Sequence, residues 1–169
     1  MKLIDILPVE IWRAIEKEAN EKFGLNASVF DADGRRITGK ANHTNRLCPA
    51  IAATKDGQTH ICARAHQDIV SRVRRHGEAA IGECDAGMVK ILVPITVDGE
   101  FLGAFGGCGR PLEDEGIDAF YISKVTGIPE SEVESLGRDI PALTEIETRE
   151  VANFLAARVR AVFEEHPKP

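Results

Sequence analysis

The strongest constraint on the fold lies in residues 84–109, CDAGMVKILVPITVDGEFLGAFGGCG. Two apolar runs, Met88 to Val97 and Phe101 to Gly107, flank Asp98-Gly99. That dipeptide between two such runs predicts a tight hairpin, because both central positions of the turn need positive φ. One cysteine precedes the first run and another follows the second. Antiparallel pairing brings the open ends of a hairpin together, so Cys84 and Cys108 are expected as near neighbours. Cys48 and Cys62 lie upstream, and the expectation is a small domain whose four thiols meet at the open end of the hairpin.

The bulk properties narrow the field. A chain of 169 residues with 43% hydrophobic content suits one domain, residues 1–169, with a real core. A formal net charge of -6 argues against nucleic-acid binding, which wants a basic face. No apolar run approaches the roughly 20 residues that span a bilayer, so no membrane partner is expected. The start, MKLIDILPVEIW, carries acidic residues within its apolar stretch and does not read as a signal peptide. A cytoplasmic location is therefore expected, where cysteines serve as thiols or metal ligands rather than as disulfides.

In chain order, Val9 to Phe23 reads as a helix with Ile11, Ile15, Ala19 and Phe23 on one stripe and Gly24 as its stop. Ala27 to Phe30 is a short strand, Asp33-Gly34 a turn, and Arg35 to Thr38 the return strand. Gly39 to Arg46 is a polar loop, and Leu47 to Ala53 a short helix that Asn45 can cap. Lys55-Asp56-Gly57 breaks the run before a long helix from Gln58 to His76. Its end is basic, which complements the helix dipole. Glu78 to Glu83 is a strand leading into Cys84; Gly109, Arg110 and Pro111 end the sheet after Cys108. Helices follow over Glu113 to Val125 and Pro129 to Leu136. Thr144-x-x-Glu147 is a capping box that opens a last helix, residues 144–164. The apolar side of that helix, from Ile146 to Phe163, is broad enough to face a second subunit as well, which suggests a homodimer. The predicted class is α+β: a PAS- or GAF-like domain with about five antiparallel strands over residues 26–108, a helical insertion, and flanking N- and C-terminal helices.

The cysteines are separated by 13, 21 and 23 residues, so no C-x-x-C knuckle marks a zinc ribbon. Each falls at the end of a predicted element, where elements converge. Four thiolates suit Zn²⁺ or an iron–sulfur cluster; the plainer alternative is a set of ordinary buried thiols. In the first case Gly106, Gly107 and Gly109 let the backbone approach a bulky cofactor. His66, four residues after Cys62, shares its helical face and is a candidate replacement ligand, or simply a half-buried helix residue. No phosphate loop, nucleophile elbow or H-E-x-x-H helix is present, and no catalytic residue is assigned. A thiol-dependent enzyme using Cys84 beside Asp85 stands as the third reading.

From about Ile4 to Leu112 the chain resembles the PocR sensory domain family. The likeness rests on Ala27-Ser28-Val29-Phe30-Asp31-Ala32-Asp33-Gly34, on Leu47-Cys48 and His60-Ile61-Cys62, on Cys84-Asp85-Ala86-Gly87-Met88, and on Val93-Pro94-Ile95-Thr96-Val97-Asp98-Gly99 running to Gly106-Gly107. The resemblance implies a PAS-related domain that senses small hydrocarbon derivatives such as short diols, and Cys48, Cys62 and Cys84 fall on recurrent family cysteines. Asp85 stands where a His is common, and Cys108 where Gln is common. The second departure completes a set of four thiols. The expectation is a signal-sensing domain, not an enzyme. It binds a small ligand, a cysteine-ligated iron–sulfur or zinc centre at Cys48, Cys62, Cys84 and Cys108, or both. It relays its state through terminal helices to a signalling partner. The alternative is a purely organic-ligand sensor with structural cysteines.

Overall fold

The computed structural model describes residues 1–39 and 41–167; Lys40, in the expected polar loop, and Lys168 and Pro169, at the end of the expected domain, lie outside the described residues. The expected hairpin is the centre of the sheet. Strands β3 (Met88–Val97) and β4 (Glu100–Pro111) join through Asp98 and Gly99, whose φ values of 52° and 83° supply the positive pair that the turn demands. β4 runs past residue 108, the expected end of the sheet core, and ends at Pro111. β1 (Asn26–Asp31) pairs with β4, and β2 (Ala80–Glu83) with β3, giving an antiparallel sheet in the order β1-β4-β3-β2.

The sheet has four strands among the described residues, against the five expected. Arg35 to Thr38 is reduced to a single bridge, Phe30 to Arg36. Side chains take over from the ladder there. The Asp31 carboxylate accepts from the N–H groups of Asp33 and Arg35 and tightens the turn. Arg36 Nε then donates to the Ser28 hydroxyl at 2.8 Å, and the Thr38 hydroxyl to Glu16 at 2.7 Å.

Strand alternation sends successive side chains to opposite faces. On one face, Val89, Ile91, Val93, Ile95 and Val97 pack with Trp12, Ile15 and Ala19 of α2 (Val9–Phe23) and with Leu155, Val159 and Val162 of α8 (Glu145–Glu165). Each such side chain contributes about 1.5–3 kcal/mol by leaving water. A short α1 (Leu3–Ile6), absent from the sequence reading, adds Leu3 to this core. The capping box forms as expected, with Thr144 and Glu147 exchanging side-chain bonds to backbone N–H groups. On the opposite face, Leu92, Ala104 and Phe30 meet Ile69, Val70 and Val73 of α5 (Arg64–His76). Beside them, Met88 meets Leu47 and Ile51 of α3 (Leu47–Ala53), Ile122 of α6 (Ala119–Thr126) and Val133 of α7 (Glu130–Gly137).

Two expectations about helices need correction. Lys55-Asp56-Gly57 does not break the chain; it opens the long helix as α4 (Lys55–Gly57), with Thr54 Oγ1 accepting from Gly57 N. Gly57 has helical φ, -62°, and is needed for proximity: a Cβ there would collide with the Ile51 carbonyl. The following turn, Gln58–Ala63, is π-helical before α5 resumes α geometry. The helix expected over Glu113 to Val125 starts only at Ala119, because Asp118 caps it by accepting from Tyr121 N at 2.9 Å and Leu112 is drawn into a bridge with Leu143.

β1 is an edge strand, and a buried carboxylate guards it. Glu16, 1% exposed, accepts from Val29 N and from Thr38 Oγ1, both at 2.7 Å. Burial raises its pKa above the ordinary 4.5, with the bonds from Thr38 and Val29 pulling the other way. Between 4.5 and that raised value the folded state holds more protons than the unfolded one, so this group's stabilisation is fullest at low pH and declines as pH rises through the window. Glu16→Gln keeps an acceptor oxygen and removes the charge. Its melting temperature relative to the parent is expected to climb as pH goes from about 4 to 8, whereas Glu16→Ala, which orphans two donors, is expected to cost about 1–3 kcal/mol at any pH. Gly106 provides a second test: a Cβ there would collide with the Ile91 carbonyl, so Gly106→Ala is expected to lose about 1–3 kcal/mol or more in denaturant melts.

Candidate functional site

The sheet register lines up Asn26, Cys108, Lys90 and Gly82 as one row across β1, β4, β3 and β2. This row lies on the face opposite the α2–α8 core. Above it, α3, the π-helical turn and α5 enclose a cavity of about 90 Å³, room for on the order of six to nine water-sized atoms. Ile51, Ala52, Ile61, Ala65, Ala86 and Met88 form its apolar wall.

All four cysteines line this cavity, each from a different element. Cys48 sits in the first turn of α3, where Asn45 holds it twice: Asn45 Oδ1 accepts from Cys48 N at 2.7 Å, and Asn45 Nδ2 donates to Cys48 Sγ at 3.2 Å. The same Nδ2 reaches across to Gly109 O at 2.9 Å, fastening α3 to β4. Cys62 comes from the π-helical turn. Cys84 lies just past β2, its N–H bonded to Met88 O at 2.9 Å. Cys108 comes from β4, directly beside Lys90. The four cysteines therefore border one cavity, and Cys84 and Cys108 are not partners in the ladder.

Cys48, Cys62 and Cys84 are held away from the thiolate form. Burial, then repulsion from Cys108, pushes Cys48 up to about 12. Burial, then Cys108 and Cys84, pushes Cys62 up to about 11, and burial with Cys108 also raises Cys84. Among the described residues no three His, Cys, Asp or Glu side chains stand so as to hold a metal ion. Gly106, Gly107 and Gly109 are absent from the cavity's lining. They allow close packing instead: Gly106 against Ile91, Gly107 against Leu25, and Gly109, at φ 102°, against the Asn26 amide.

The sequence reading missed the positive side of the site. Lys90 lines the cavity and is 2% exposed. Arg36 lines it too. Both flank Phe30, with Lys90 Nζ 5.5 Å and Arg36 Cζ 5.6 Å from the ring centroid. Such contacts contribute about 0.5–2 kcal/mol each, less than the several kcal/mol that a buried, unneutralised charge costs. No Asp or Glu lines the cavity among the described residues. Asp68, Glu83 and Asp85 line a neighbouring recess that Lys90 also borders, yet none forms an ion pair with it. His66 stacks on Phe30 at 4.8 Å and lines the same cavity; its buried Nδ1 has no hydrogen-bond partner. Burial, then Lys90 and Arg36, drives its pKa down to about 2, so the imidazole is neutral. One signal for Lys90 was in view: a lone charge inside the run Met88 to Val97, at a position whose neighbours Val89 and Ile91 belong to a strand buried on both faces.

Comparison with known proteins adds the family. The model of the PocR family, described as a sensory domain found in PocR, matches residues 5–166. No curated protein matches the chain, and no solved structure does. The match reaches beyond the strands and cysteines to the terminal helix α8, so nearly the whole chain takes part. The chain belongs to the PocR sensory-domain family.

Proposed function

We propose that this sensory domain reads a small molecule held in the thiol-lined cavity, and that its occupancy is passed to the terminal helices. The observation that carries this reading is the cavity itself: a largely apolar enclosure on the sheet, lined also by Lys90, in which the buried His66 Nδ1 has no hydrogen-bond partner among the described residues. Small-ligand sites have this make-up, a mostly apolar wall with a few convergent polar groups. Membership of a sensory family supplies the signal-sensing, ligand-binding role.

The relay follows from β3. Its Met88 and Lys90 line the cavity, while Val89 and Ile91 pack in the core that holds α2 and α8. A ligand that prefers one placement of β3 biases the packing of both helices, provided its affinity differs between the two placements. The roof includes the π-helical turn Gln58–Ala63, a rare geometry that recurs at functional sites. Output then goes through α2 and α8 to a signalling protein, or to a second copy of the chain. The location that suits this role is the cytoplasm; among the described residues no helix is long and apolar enough to cross a membrane. No reaction is assigned to the site.

A second reading is favoured by the four sulfurs: Cys48, Cys62, Cys84 and Cys108 together hold an iron–sulfur centre. Four thiolates suit a cluster as they suit a zinc ion, although among the described residues no three such side chains stand so as to hold a metal ion. A cluster spreads its cysteines over several irons. Lys90 and Arg36 would offset its negative charge, and the glycines would keep the β4 backbone and Asn26 close beneath Cys108. Bound there, the cluster would supply electron transfer or redox sensing.

Two measurements separate the readings. Protein purified without oxygen is expected to be colourless and free of stoichiometric iron, zinc and sulfide, and to melt higher with a short-chain alcohol, diol or acid present. Ala65→Leu, which fills the cavity, is expected to abolish that rise and leave the ligand-free melt within a few degrees. Absorbance near 400 nm (approximately where cysteine-ligated clusters absorb), lost in Cys108→Ser, would establish the second reading in place of the first.

A further inference from the structure

Lys90 is the one lysine of the central hairpin strand, and its surroundings are built for a charge they do not contain. It sits in the row Asn26–Cys108–Lys90–Gly82, under the roof formed by the π-helical turn and α5. Its exposure is 2%. Its ammonium lies over the face of Phe30, 5.5 Å from the ring centroid, and forms no ion pair among the described residues. Arg36, half-buried, sits against the same ring with its Nε on the Ser28 hydroxyl, and its terminal guanidinium nitrogens make no hydrogen bond among the described residues. Two cations around one ring repel each other, and a ring quadrupole neutralises neither. Buried charges in folded proteins are paired or bind a ligand.

We propose that the ligand of this cavity is a small carboxylate, its head group held between Lys90 and Arg36 and its hydrocarbon tail against Ile51, Ala52, Ile61 and Met88. The inference rests on the small-molecule reading of the site and adds the charge of the ligand to it. A planar carboxylate suits the arginine fork, and a point-charge ammonium completes the pair. The neutral imidazole of His66, with Nδ1 unpartnered in the same wall, completes the polar end. A diol or alcohol would leave both cations unneutralised. The cavity of about 90 Å³ sets the size: a chain of a few carbons fits, a sugar phosphate or nucleotide does not.

The test uses the full chain, freed of metal, and matched probes: the straight-chain acids from acetate to hexanoate at neutral pH, each beside its primary amide, which has nearly the same shape without the charge. Binding is read by calorimetry and by melting temperature. At least one acid is expected to bind tenfold or more tightly than its amide, with affinity falling as salt rises. Lys90→Met is expected to weaken that acid at least tenfold, to change the amide less than threefold, and to raise the melting temperature of the ligand-free protein, because a buried cation without a partner is removed. Arg36→Gln supplies an independent variant with the same acid-selective loss. Amides or alcohols binding as tightly as acids would overturn the carboxylate while leaving the sensing cavity in place. Failure of every probe, together with stoichiometric iron and sulfide, would overturn the small-molecule reading and this inference with it. A ligand-free Lys90→Met protein that melts lower than the parent would overturn the claim that Lys90 is held without a counter-charge.

Discussion

The ladder between β3 and β4 is the constraint on which everything else rests. Every side chain of β3 is assigned to one of two environments by parity alone: odd positions from Val89 to Val97 enter the aliphatic core, even positions near its start enter the cavity. A slip of one residue would drive Lys90 in among Trp12 and Ile15 and put Ile91 over the thiols. The Asp98-Gly99 turn sets the pairing at one end, and a bulge between Val89 and Lys90 adjusts it at the other, where the site begins. Bulges occur next to functional sites because they re-aim a side chain. Fold and site are therefore two consequences of one register.

What was legible in the sequence was what local rules encode. The Asp-Gly turn, the stripe of α2, the Gly24 stop and the Thr144 capping box each depend on a few adjacent residues, and each is present. The gathering of four distant thiols was legible too, because hairpin closure and helix starts bring element ends together. Less visible were features decided by tertiary contact. Gly57 reads as a breaker in isolation, but here it is a close-packing residue under Ile51. Arg35 to Thr38 has the pattern of a strand, yet Glu16, distant in the chain, takes the Val29 N–H of β1 and the Thr38 hydroxyl. Lys90 and Arg36 are far apart in the chain, and nothing local says that Phe30 will stand between them.

The site also shows where stability and function pull apart. Apolar burial around Met88, Ile51 and Ile61 favours a closed core, and the same closure buries Lys90 and an imidazole nitrogen. Cys48, Cys62 and Cys84 retain protons, chiefly because burial disfavours their charged form. A domain that reports on a bound molecule needs such a region, since an interior already satisfied would have no free energy left to respond with.

The wide turn Gln58–Ala63 has a consequence for how relatives of this chain diverge. A π-helical turn carries one residue more than an α-helical turn, and it arises by single-residue insertion. Losing that residue would rotate the preceding segment by about 100° around the helix axis, while α5 stayed seated on the sheet through Ile69, Val70 and Val73. A different side chain would then face the space that Cys62 now borders. One codon gained or lost in this turn re-aims the roof without rebuilding the floor, so length variation here is a route by which one scaffold acquires new ligands.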